Sequence, residues 1–231
     1  MSQLKEPNHS AYLQWDVATW SPAIDLWIEG IQMHIQGSGQ ALEIGGRQGG
    51  LSLFLAEQGI KVICSDLVDT QSLASPIHMK FNVGHLVTYE RLDATDLPFE
   101  EQFDVVVFKS VLGGIGHDNQ KSKQDAAMAA MYRALKPGGL LLFAENMRAG
   151  LLHRIFRRFV KWGGAWRYVS QSELQQWLRP YSTYTLRYTG FIASFGRTEK
   201  QRQVFSTIDR LLFLWWIPKS WMYVGYGVAK K

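Results

Sequence analysis

Three acids each close an apolar run, and the first stands two residues before an unusually glycine-rich turn. Residues 41–52 read ALEIGGRQGGLS, so Glu43 precedes Gly45, Gly46, Gly49 and Gly50, with Arg47 among them. Asp66 ends KVICSD, and Asp93 ends the run in LVTYERLDATDLPF. Glycines let backbone approach a ligand closely and adopt positive φ. Two phosphate-cradling patterns fail here. A G-x-G-x-x-G fingerprint counted from Gly45 puts Arg47 at its second glycine, and no G-K pair completes a P-loop. A carboxylate suits a cationic or amino-bearing ligand better than a phosphate. Asp66 follows the turn by about 20 residues, the distance at which an acid reaches ribose hydroxyls. Three acids at three strand ends describe a site for a nucleoside that carries positive charge. Plainer roles compete: Asp66 as a helix N-cap, and Asp93 as the holder of the turn DATD.

Other reactive side chains are few. His117, in SVLGGIGHDNQ, is the first candidate for a general base on an acceptor hydroxyl, weighed against a solvent-exposed loop histidine. Glu145, closing GLLLFAEN, is the second. Cys64 fits a small core residue. His78, His85 and His153 show no metal-ligand spacing, so no metal site is expected.

These residues need a scaffold at whose edge strand ends converge. Short apolar runs at 41–45, 61–66, 86–94, 103–110 and 139–146 predict strands, alternating with helical patterns at 50–59 and 120–136. VVVF and LLLF lack polar alternation, as parallel strands covered on both faces do. Pro137-Gly138-Gly139 stops the second helix. The pattern predicts an open α/β sheet. Ahead of it, residues 11–35 carry helical spacing with Trp15, Trp20 and Trp27, which would form a lid over the site or simply pack. Beyond it, Ser170 and Glu173 form a capping box, and two more strands are expected over 184–195 and 221–231 with a helix between. The chain divides into an N-terminal helical lid (1–40), a binding core (41–146) and a C-terminal part (147–231).

Charge divides the same way. Residues 1–146 hold 10 Lys/Arg against 17 Asp/Glu, whereas 147–231 hold 15 against 3 and most of the aromatics. The basic part should therefore face something anionic. In LLHRIFRRFVKW (151–162), Arg154, Arg157, Arg158 and Lys161 form one helical stripe; with RLLFLWWIPKSWMY it suits a peripheral membrane contact through 151–162 and 211–223. A solvated face over a core stripe is the ordinary alternative. No apolar run approaches the roughly 20 residues of a membrane span. The polar start MSQLKEPNHS predicts no secretory leader, and one cysteine suits a cytoplasmic setting.

The series resembles the class I S-adenosylmethionine-dependent methyltransferases over roughly 41–146. LEIGGRQGGLSLFLA resembles that family's E-x-G-x-G-x-G motif, ICSD its acidic second-strand end, and LDATDLPF its third-strand motif. FDVVVFKSVLG resembles the fourth, and MYRALKPGGLLLFAE the R-x-L-K-P-G-G turn and fifth strand. The resemblance implies a Rossmann-like, seven-stranded, mostly parallel sheet with helices on both faces and an antiparallel last strand. It implies S-adenosyl-L-methionine as cofactor. Gly45, Gly46 and Gly49 would lie against its methionine part, and Glu43 would orient the turn or the amino group. Asp66 would bind the ribose, Leu67, Asp93 and Ala94 the adenine, and Lys109, Ser110 and Val111 would lie beneath the sulfonium. Arg47 replaces the usual middle glycine, and is expected to keep an unstrained φ and point outward.

The expected activity is methyl transfer to a small-molecule acceptor, at an oxygen of an anionic, glycan or lipid-linked compound. A nucleic-acid acceptor is less favoured, since no RNA-binding module is visible and SVLG stands where an amino-methylating motif would. A non-catalytic protein of the same fold, binding a membrane or protein partner, is the rival from another class.

Overall fold

The computed structural model describes residues 7–35, 37–151, 153, 155, 165–213 and 216–231. The opening segment forms α1 (His9–Leu13) and α2 (Val17–His34). The core follows as β1 (Gln40–Ile44), α3 (Gly50–Glu57), β2 (Lys61–Asp66), α4 (Gln71–Lys80), β3 (Val87–Arg91), β4 (Phe103–Lys109), α5 (Leu112–Ile115), α6 (Lys121–Ala134) and β5 (Leu135–Asn146). The C-terminal part adds α7 (Gln171–Leu178), β6 (Thr183–Thr189), α8 (Glu199–Ile208), a π-helical turn at Asp209–Phe213, and β7 (Val224–Lys230).

Seven strands lie in the order β3-β2-β1-β4-β5-β7-β6. All neighbours are parallel except those of β7, which runs against both β5 and β6. The expected class I methyltransferase architecture, a Rossmann-like sheet with an antiparallel last strand, is present. Period-two alternation splits the buried strand residues between two cores. Ala41, Val105, Val107, Leu140 and Leu142 pack with α1–α4, and Leu42, Ile44, Val106, Phe108, Leu141 and Phe143 pack with α6 and α7. A strand apolar on both faces has no amphipathic signature, which is why VVVF and LLLF look uniform.

Local signals set the boundaries. Ser170 accepts from Glu173 N, and the Glu173 carboxylate accepts from Ser170 N, so the capping box starts α7. α6 ends at Ala134, and strand pairing resumes at once, so Pro137 lies inside the twelve-residue β5 instead of before it. Gly138 takes a φ of +81°, and the β4–β5 register shifts between Phe103 and Val105. This irregularity accommodates proline, which cannot donate to the ladder. α4 was not expected. It brings the buried His78 under the glycine turn. Among the described residues no helix is long and apolar enough to cross a membrane.

Candidate functional site

In a sheet of this order the chain leaves β1 in one direction and β4 in the other, and ligands bind beyond the strand ends at that switch point. A cavity of about 1170 Å³ lies there. Its inner half is lined by Glu43, Gly45, Gly46, Arg47, Asp66, Lys109, Ser110 and Val111, and its outer half by lid and C-terminal residues.

Glu43 sits at the base of the glycine turn, 3% exposed. Its carboxylate accepts from Ser52 N at 2.8 Å and from the Ser52 hydroxyl, tying β1 to the first turn of α3. Burial pushes this carboxyl up to about 7, against the pull of the Ser52 donors. Of the two roles open to Glu43, orienting the turn is the one its contacts describe. A Cβ on Gly46 would stand 2.5 Å from Cys64 Sγ and 3.2 Å from Glu43 Oε2, so the turn runs against its support with no space for a side chain.

Gly49, φ +73°, lies behind the turn, outside the cavity lining. His78 Nε2 is 2.8 Å from Gly49 O, and His78 Nδ1 is 2.7 Å from the Tyr89 hydroxyl. A carbonyl only accepts, so Nε2 carries the proton and Nδ1 accepts from Tyr89.

Arg47 departs from expectation. It is solvent-exposed yet lines the cavity, and its φ is +43°, in the left-handed region that costs an L-residue about 1–2 kcal/mol. Its amide donates to Asp66 Oδ2 at 3.2 Å, and its carbonyl accepts from the Thr70 hydroxyl, which holds the middle-glycine backbone path without a glycine.

Asp66 lines the cavity at the end of β2, with Oδ1 accepting from Leu67 N at 2.7 Å. Leu67, Asp93 and Ala94 lie outside the lining. Asp93 is exposed, and its Oδ1 accepts from Thr95 N at 2.8 Å and the Thr95 hydroxyl at 2.7 Å. Those two donors hold its carboxyl below the usual range. The competing turn role thus describes its contacts, as asparagine and aspartate commonly behave.

His117 also falls away from the cavity. The chain after β4 coils into α5 and a 3₁₀ turn at His117–Asn119, and this leaves the imidazole 53% exposed and 2.9 Å from Asp118. Glu145 is wholly buried and turned to backbone: Oε2 accepts from Val111 N (2.9 Å) and Leu112 N (2.7 Å), and Oε1 from Asn146 N (2.7 Å). Burial lifts its carboxyl to about 7 despite those donors. With both oxygens committed to N–H groups, Glu145 fixes the β4–α5 corner. Glu145→Gln would turn an amide NH₂ onto a donor, and is expected to lower stability by about 2 kcal/mol in a denaturant titration.

Lys109, closing β4, donates from Nζ to Leu13 O at 2.9 Å and lies 3.5 Å from the Trp15 ring centroid. This joins the α1–α2 link to the cavity floor. Gln14 Nε2 donates to Gln48 O at 3.1 Å, and the Tyr12 hydroxyl to Glu57 at 2.6 Å, so α1 is fastened to the glycine turn and α3. Of the three lid tryptophans, Trp15 lines the cavity, whereas Trp20 and Trp27 are fully buried core. Burial pulls the Lys109 ammonium down to about 7, opposed by nearby Asp16. A lysine whose folded value lies below its unfolded one binds fewer protons when folded, so stability rises with pH between the two values. The stability of the wild type relative to Lys109→Met is therefore expected to grow, by on the order of a few kcal/mol, as pH climbs from 7 towards 10; thermal melts of the pair measure it.

Residues that sequence alone did not single out complete the outer half. Asp16, φ +50°, accepts from the Thr19 hydroxyl at 2.7 Å and lies 3.8 Å from Arg202 Nε. Trp166, Tyr168, Phe195, Arg197 and Tyr223 come from the C-terminal part, whose basic and aromatic composition was the only signal for them. Asn146, 3% exposed, donates from Nδ2 to the Ser110 hydroxyl, while its Oδ1 is buried with no hydrogen-bond partner among the described residues.

Residues 42–143 match the family model described as a methyltransferase domain. YqeM of Bacillus subtilis is 27% identical over 120 residues, 52% of this chain and 47% of that one. The ubiquinone/menaquinone biosynthesis C-methyltransferase UbiE of Methylococcus capsulatus is 31% identical over 118 residues, 48% of this chain and 45% of that one. The match thus spans about half the length of these curated relatives. The Haemonchus contortus phosphoethanolamine N-methyltransferase 2, solved in complex with S-adenosyl-L-methionine, superposes with a TM-score of 0.63 at 20% identity, covering 100% of this chain and 58% of that one. Over residues 42–143 the chain is thus similar to methyltransferase domains, and its fold is that of the class I S-adenosylmethionine-dependent methyltransferases.

Proposed function

We propose that the chain is an S-adenosylmethionine-dependent methyltransferase acting on a small-molecule acceptor, at an oxygen of an anionic compound. The residues present fit the cofactor. At Gly45 and Gly46 the glycine turn offers backbone free of side chains, and Asp66 offers a carboxylate to a ribose diol at the adjoining strand end. The adenine contacts implied for Leu67, Asp93 and Ala94 lie beyond the lining, so nucleoside recognition rests chiefly on Asp66. When bound, the cofactor supplies an electrophilic methyl group. The chain's own part is to align the acceptor and exclude water, an effect that can supply roughly 7–11 kcal/mol.

The observation that carries the acceptor reading is Asn146. Its Oδ1, buried beside Ser110 at the cavity floor, has no donor among the described residues. A buried acceptor left unmatched costs about 1–3 kcal/mol, which a hydroxyl on the acceptor would recover. Arg197, across the same cavity, favours a negative charge elsewhere on that molecule, whereas Arg202 is already paired with Asp16 and Glu199. The relatives' names span carbon and nitrogen acceptors, so the atom is tested directly. Purified protein is incubated with methyl-labelled cofactor and matched hydroxyl, amine and activated-carbon compounds, each with and without a carboxylate or phosphate. Label on the hydroxylated anions, reduced by at least tenfold in Asn146→Ala, supports the reading; label confined to amines or carbons overturns it.

A further inference from the structure

A second cavity, about 370 Å³, lies apart from the large one, between the chain leaving β5 and the turn before β7. It is lined by Arg148, Leu151, Ser170, Gln171, Lys219 and Trp221 among others, and no acidic side chain is among its lining residues. Ser170 and Gln171 are the N-cap and first residue of α7, whose end is already capped by the Glu173 carboxylate, so the positive potential of the hollow comes from its two cations. The wall is partly packed: a Cβ on Gly150 would stand 3.0 Å from the Trp221 ring, and Trp221 lies 6.3 Å from Phe191.

Its surroundings are apolar and open. Leu151 is 63% exposed and Trp216, five residues before Trp221, is 86% exposed. Ile155, one helical turn after Leu151, is also exposed. Leu151 and Trp221 line the cationic hollow itself, and large apolar side chains left exposed are costly in water. They match the two layers of a membrane surface, with tryptophan at headgroup depth and cations against anionic phosphate.

We propose that this face docks on an anionic membrane, with a phosphate-bearing lipid headgroup seated between Arg148 and Lys219 and with Trp216, Trp221 and Leu151 entering the interface. The basic stripe anticipated within 151–162 (Arg154, Arg157, Arg158 and Lys161) lies outside the described residues, and the docking face stands without it. The inference is independent of the methyl-transfer reading, because it concerns where the protein sits and not which atom it methylates.

The test pellets the full chain with vesicles of neutral phosphatidylcholine alone and of phosphatidylcholine mixed with phosphatidylglycerol. Retention should require the anionic lipid and weaken with salt. Each cation near the surface contributes about fivefold in partition, so Arg148→Gln with Lys219→Gln should reduce retention about 25-fold. Trp216→Ser should reduce it at unchanged charge. Trp216→Ser should keep the wild-type melting temperature, and both variants the wild-type S-adenosylhomocysteine affinity, which separates a docking defect from a failed cofactor site and, at Trp216, from misfolding. Equal retention on neutral vesicles, or wild-type retention by the double variant, overturns the proposal. So does calorimetric binding of free glycerol phosphate without vesicle retention, which assigns the hollow to a soluble phosphate. Self-association abolished by Trp216→Ser, again without retention, assigns the face to a second copy and overturns it equally.

Discussion

Gly49→Ala is expected to destabilise the protein by about 3 kcal/mol or more and to remove S-adenosylhomocysteine binding with it. Two costs combine at this residue. Its φ of +73° is one that an L-residue adopts only at about 1–2 kcal/mol. A Cβ there would also stand 2.5 Å from His78 Cε1, 2.6 Å from its Nε2 and 2.8 Å from the Ala74 Cβ. His78 is fully buried and held at both ring nitrogens, so it cannot swing aside without losing Gly49 O or Tyr89. Forcing a methyl group into a packed site of this kind costs typically 1–3 kcal/mol. Thermal unfolding and calorimetry together check the result. A variant with wild-type melting temperature and affinity would mean that the turn is not braced by α4. Gly49→Ala should cost less in a His78→Ala background than in the wild type, because the imidazole contacts are gone while the backbone strain and the 2.8 Å approach to the Ala74 Cβ remain.

Asp66→Ala should weaken S-adenosylhomocysteine binding about 30-fold, whereas Asp93→Ala should change it less than about threefold. A hydrogen bond to a charged group is worth roughly 1.5–3 kcal/mol, and 1.4 kcal/mol corresponds to tenfold in affinity. Asp66 lines the cavity at the β2 end; Asp93 does not, and it spends Oδ1 on Thr95. Asp66 also accepts from Arg47 N at 3.2 Å, so part of its effect passes through the glycine turn. Asp66→Asn separates the contributions, since it retains an acceptor for that amide but gives up the charge. Isothermal titration of the three variants decides. A large loss in Asp93→Ala with little in Asp66→Ala would move nucleoside recognition to the third strand and undo the present assignment.

The two acids show where sequence reading succeeds and where it stops. Both sit at strand ends at suitable spacing, and that placement is a local property. Whether a carboxylate faces a ligand depends on where the folded chain opens its cavity: Asp66 lines it although Arg47 N and Leu67 N each use one of its oxygens, and Asp93, whose Oδ1 is turned to Thr95, does not. His117 fails for a similar reason. Its loop coils into α5, which Glu145 anchors through Val111 N and Leu112 N, and the histidine is carried to the surface. A carboxylate 34 positions from Val111 sets that path, and nothing in SVLGGIGHDNQ announces it.

Sheet class, strand succession, the capping box at Ser170 and the Glu43–glycine–Asp66 constellation were written in the chain itself. Each depends on contacts within one element or one turn, where hydrophobic period and cap chemistry act at short range. The tertiary structure alone decided that His78 braces Gly49 from 29 positions away, that Lys109 ties Leu13 to the cavity floor across 96, and that Asn146 Oδ1 is buried with no donor among the described residues. Those pairings follow from which strands become neighbours and how helices pack across them. That packing is a collective outcome of burying two cores, and residues far apart in sequence carry no local mark of it.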